Sequence, residues 1–100
     1  MVGQYTQAQL HALAGVKLRL DAAGPQIQSQ RAQLTRINER IREMQAERDA
    51  IDEGVDEEGS AQRASLTRRI EEAFARRAEV ERMLADNLHF VEWAKSVLEP

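Results

Sequence analysis

Residues 34–70 read LTRINERIREMQAERDAIDEGVDEEGSAQRASLTRRI, and this stretch decides the fold. Ahead of the acids, Leu34, Ile37, Ile41 and Met44 recur at steps of three and four, with Ile51 one heptad beyond Met44. After the acids, Leu66 and Ile70 restart the same rhythm. Steps that alternate between three and four place apolar side chains on one stripe of a helix. Between the stripes lies Asp52-Glu53-Gly54-Val55-Asp56-Glu57-Glu58-Gly59, whose two glycines and five acids fit an exposed turn. Two stripes joined by one short turn predict a helical hairpin.

Working outward, the first stripe runs back through Ile27, Ala23, Leu20, Val16 and Leu13, and the second runs on through Ala73, Val80, Leu84, Val91, Ala94 and Leu98. The expected fold is all-α: a long antiparallel, coiled-coil-like hairpin with a kinked N-terminal helix, in a single domain. Its parts are helix 6–23, a joint at 24–25, helix 25–51, an acidic loop over 52–60 and helix 61–98. Ile27, Leu34, Ile37, Ile41 and Met44 form the seam with Ile70, Val80, Leu84 and Val91. Pairing about the turn sets Ile27 across from the region of Asp86, and Leu20 across from Trp93. A pair of helices with one apolar stripe each buries little, so dimerisation into a three- or four-helix bundle is part of the expectation.

Local signals refine the boundaries. Thr6 and Gln9 have the spacing of a capping box, and Tyr5 and Leu10 that of a hydrophobic staple. Gly24-Pro25 predicts a kink or tight joint, because proline lacks the amide that would bond the preceding turn. Yet Leu20, Ile27, Leu34 and Ile41 are each seven apart, so the heptad runs through it, with Pro25 on the side away from the seam. Ser60 is the expected cap of the last helix. Polar residues interrupt the seam at Gln30, Arg48, Arg63, Arg77 and Asn87; such residues cost stability but fix register.

Composition sets the bounds. One hundred residues allow one domain, and with 4% aromatics and 31% charged residues the chain favours long helices over a packed globule. The net charge of -3 argues against nucleic-acid binding by bulk charge. Residues 49–58 carry six acids and no base. There is no cysteine, so thiol chemistry is excluded. The N-terminal residues have no basic segment followed by a long apolar run, as a signal peptide would, and no stretch approaches a membrane span. A cytoplasmic protein without a membrane segment is the expectation.

Four groups of residues are candidates for chemistry. His11 and His89 have no neighbour at metal-ligand spacing. The acidic turn fails as a calcium loop: with Gly54 at position six, Ile51 falls third and Ser60 twelfth, where acids are required. Glu39, Glu43 and Glu47 lack the Glu-x-x-His elements of a carboxylate metal site, and ion pairing with Arg36, Arg40 and Arg42 accounts for them. Arg63, Arg68, Arg69, Arg76, Arg77 and Arg82 give the last helix a basic flank that suits phosphate. Glu71, Glu72, Glu79 and Glu81 interleave it, however, which reads as a salt-bridged face. No catalytic residue, metal or cofactor is assigned, and the chain is not expected to be an enzyme.

Towards the C-terminus the apolar face broadens through Met83, Leu84, Leu88, Phe90, Val91, Trp93, Ala94, Val97 and Leu98. A helix that apolar is covered on more than one side. Leu10, Leu13, Val16, Leu18 and Leu20 are expected to cover part of it. Leu88, Phe90, Trp93, Val97 and Leu98 are the expected partner-binding residues, with Trp93 off the seam at heptad position c. The heptad pattern as a whole is similar to the rod-like modules of secretion-apparatus stalks, small helical chaperones and short phage accessory proteins. The expected function is therefore protein–protein interaction: a self-associating hairpin, a homodimer, acting as adaptor, small chaperone or inhibitor. Two other readings are a structural component of a phage particle or secretion assembly, and a nucleic-acid-associated regulator using the Arg-rich flank.

Overall fold

The computed structural model describes residues 5–52 and 56–99. Two helices, α1 (Gln7–Asp49) and α2 (Glu57–Leu98), pack against each other as an all-α hairpin. The molecule is a rod measuring 80 × 17 × 15 Å. Its buried side chains fall on the predicted stripes: Ala23, Gln30, Ile41 and Met44 on α1, and Leu66, Ile70, Val80 and Ala94 on α2. Ile27, Leu34, Ile37, Leu84 and Val91 occupy the same stripes and are half-buried. This grading is what one helix against one helix provides, since each seam side chain is covered from one direction only.

The start of α1 forms as its sequence predicts. The Thr6 hydroxyl accepts from the Gln9 amide at 3.1 Å, and the Gln9 side chain accepts from the Thr6 amide at 2.8 Å. Two of the amides that a helix N-terminus leaves unpaired are thereby satisfied. Tyr5 and Leu10 both remain half exposed.

Three boundaries differ from expectation. First, α1 is one uninterrupted helix with Pro25 inside it, where two helices meeting at a joint over 24–25 were expected. Pro25 lies on the exposed side while Ala23 and Gln30 are buried beside it, so seam packing holds the helix together across the missing amide. Second, α1 ends at Asp49, and Ala50 caps it with its amide on Ala46 O at 3.0 Å. Third, α2 starts at Glu57 with Asp56 as its cap, ahead of the expected Ser60. The Asp56 carboxylate accepts from the Gly59 amide at 2.7 Å, and Glu57 and Glu58 fill the first turn. Acids at a helix N-terminus face its partial positive charge, so part of the acidic run belongs to the helix. Of the expected acidic loop, residues 53–55 lie outside the described residues, as do residues 1–4.

The polar seam positions all find polar partners across the hairpin. The Asn87 amide donates to Gln30 Oε1 at 3.0 Å, and Gln30 is buried. Arg77 donates to Asn38 at 3.1 Å, and Arg48 to Thr67 at 3.4 Å. Arg63 Nη1 donates to the carbonyls of Arg48 and Ile51 at 3.0 and 2.8 Å, gripping the end of α1. Terminal carbonyls carry the partial negative charge of a helix, so a guanidinium suits them. Among the described residues no buried side-chain nitrogen or oxygen lacks a partner. The pairs also fix the register: Gln30 against Asn87 sets Ile27 level with Phe90, about one helical turn beyond the expected region of Asp86.

No helix among the described residues is long and apolar enough to cross a membrane.

Candidate interaction surface

The two ends of the rod differ. Near the turn, Met44, Leu66 and Ile70 form the hydrophobic core, with Ile51 and Ala73 packed against it. At the far end large apolar side chains stay in solvent: Tyr5, Leu10, Leu18, Met83, Leu88 and Trp93 are all exposed, with Trp93 at 49%. Ala23 stands level with Ala94, both buried, while Leu20, Val16 and Leu13, the next apolar stripe positions toward the start of α1, are only half-buried.

An open groove of about 260 Å³ results, formed by Tyr5, Gln9, Ala12, Leu13 and Val16 of α1 with Trp93 and Val97 of α2. Phe90 stacks beside Trp93 with ring centroids 5.9 Å apart. The Arg19 guanidinium lies over the Phe90 ring, 3.9 Å from its centroid. A cation over a ring face adds electrostatic attraction.

The expected partner-binding residues do not form one face. Phe90, Trp93 and Val97 gather on one flank. Leu88 is on the opposite flank, where it lines a separate shallow groove with Leu34, Asn38, Arg77 and Leu84. Leu98 sits half-buried on the seam. Of the residues expected to cover the C-terminal face, Leu13, Val16 and Leu20 are half-buried, whereas Leu10 and Leu18 point into solvent at 53% and 72% exposure. Tyr5 and Ala12 belong to the groove and were not among the expected partner-binding residues. Their signal was available, since Tyr5, Ala12 and Arg19 are seven apart on the flank of α1 that meets Phe90.

Arg63, Arg76 and Arg77 of the basic flank of α2 are engaged within the molecule. Arg76 pairs with Glu79 at 3.2 Å, and Arg77 with Glu81 at 3.4 Å while its guanidinium also lies 4.6 Å from the Phe74 ring centre. Arg40 pairs with Glu43 at 3.6 Å on α1, as its spacing of three predicts. Exposed pairs of this kind add only about 0.2–0.5 kcal/mol each. Among the described residues no three His, Cys, Asp or Glu side chains are grouped to hold a metal ion.

Compared with known proteins, the chain matches no family model, no curated sequence and no solved structure. Its surface chemistry alone carries the functional argument.

Proposed function

We propose that this chain is a non-enzymatic protein–protein interaction module: a hairpin that self-associates and docks through its turn-distal apolar groove, as an adaptor, small chaperone or inhibitor does. The observation that carries this reading is Trp93, half exposed on a ring pair beside an open apolar groove. Clustered exposed apolar side chains mark interaction sites, and tryptophan is enriched where binding energy concentrates. The 80 Å rod shape supports a second reading, a structural component whose copies stack in a phage particle or secretion assembly. The nucleic-acid reading has less support, because Arg63, Arg76 and Arg77 are committed to carbonyl, carboxylate and amide acceptors.

Trp93→Ala tests the reading. Self-association measured by sedimentation equilibrium is expected to weaken by at least about 10-fold, the loss typical of a binding hot spot, with helicity unchanged by circular dichroism. Helicity lost along with association places Trp93 inside the fold and removes the basis for the proposal. A ladder of oligomers in place of a single closed species favours the structural-component reading.

A further inference from the structure

Building on the self-association reading above, we infer that two copies pair through their turn-distal halves, turned end for end, so that their acidic turns lie at opposite ends of the assembly. The occupant of the groove is a second copy of this chain.

Three observations carry this. The exposed apolar side chains are segregated: Tyr5, Leu10, Leu18, Met83, Leu88 and Trp93 are all in the distal half, and of these Tyr5 and Trp93 line the groove together. In the turn-proximal half Phe74 is the one large exposed apolar residue among those described, and Arg77 lies over its ring. A patch confined to one end closes on itself through a two-fold axis across that end.

Charge selects the direction. Residues 49–58 at the turn end carry six acids without a base. Side-by-side pairing with turns together sets each of these against its own like charge, which is unfavourable. End-for-end pairing keeps them apart. The distal flank instead offers Arg19 on α1, over Phe90, and Asp86 on α2, beside Met83. A two-fold axis there can set the Arg19 of each copy against the Asp86 of the other.

Area agrees. A compact chain of 11.3 kDa exposes about 5,700 Å² by the usual scaling, whereas this one exposes 7634 Å². The excess, roughly 1,900 Å², exceeds the ~800 Å² that each partner contributes to a standard interface.

The absence of cysteine makes the test direct, because a single introduced thiol carries one spin label. Ser60→Cys labels the turn end of the full chain, at an exposed position. At ~1.5 Å per residue, end-for-end pairing puts the two labels roughly 90 Å apart and gives a longest dimension of about 110 Å in solution scattering. Turn-to-turn pairing gives label distances within about 30 Å, taking helix diameters of 10–12 Å, and a rod near 80 Å long. That result overturns the arrangement and leaves self-association standing. A monomer at millimolar concentration overturns both. Gly15→Arg provides a second check on the groove side of α1, where an added Cβ meets nothing within 4 Å. Association is expected to weaken at least about 10-fold with helicity maintained, since glycine is the poorer helix former. Unchanged association overturns the placement of the second copy on this flank.

Discussion

Ile41→Asp is expected to unfold the hairpin. Ile41 is 4% exposed in the middle of α1, on the stripe that faces α2. A carboxylate there either stays charged without a partner or takes up a proton, and a buried ionised group without compensation costs several kcal/mol. Losses above about 4–5 kcal/mol are a large part of the 5–15 kcal/mol that holds a typical domain together. A two-helix rod has no second layer to absorb them. The ellipticity at 222 nm should collapse at the temperature where the parent chain is helical. Leu84→Asp, at a half-buried seam position, should act in the same direction with a smaller effect. The exposed control Ala32→Asp should cost no more than about 0.7 kcal/mol, the difference in helix propensity. Unchanged helicity and elution volume in Ile41→Asp and Leu84→Asp would show that the stripe does not face α2.

Pro25→Ala is expected to act in the opposite direction, raising stability by up to about 3 kcal/mol. Pro25 lies inside α1, where its ring offers no amide to the carbonyl one turn earlier. Its side is exposed and touches only a shallow groove shared with Gln30, Met83 and Asn87, so little packing is lost on replacement. Adding Gly24→Ala should contribute a further ~0.5–1 kcal/mol. The new Cβ there meets nothing within 4 Å. The midpoint of urea unfolding is the measurement. A midpoint that falls on Pro25→Ala would mean that the proline is needed for α1 to follow α2 along the seam.

Most of the fold was legible because a heptad is a long-range signal written in local spacing. From Leu13 to Leu98 every apolar seam position read from the sequence is buried or half-buried. The polar seam residues were legible as interruptions, but their pairing was not. Gln30 and Asn87 are 57 positions apart, and only the register joins them. The start of α2 was misplaced because the acids were assigned to a solvated loop, while Asp56, Glu57 and Glu58 also suit a helix N-terminus. The continuity of α1 followed from phase, which outweighed the local preference of Gly24-Pro25. The interaction surface was half legible. Trp93 and Val97 stood out on α2, whereas Tyr5 and Ala12, although seven apart and in phase with Arg19, join the groove only through the pairing of the two helices.

The grip of Arg63 on the end of α1, next to the Met44, Leu66 and Ile70 cluster, also sets an order of events along the rod. Contacts beside the turn close the shortest loop and lose the least chain entropy on forming, so the hairpin zips from that end. Opening runs in reverse. Amide hydrogen exchange should be slowest over residues 41–48 and 63–70 and fastest over 7–16, where one face of α1 lacks a neighbour. Uniform exchange along the rod would contradict this gradient. The last turns to order are then the ones that carry the groove, so a docked copy stabilises them as it binds, and folding of the free end becomes sensitive to protein concentration.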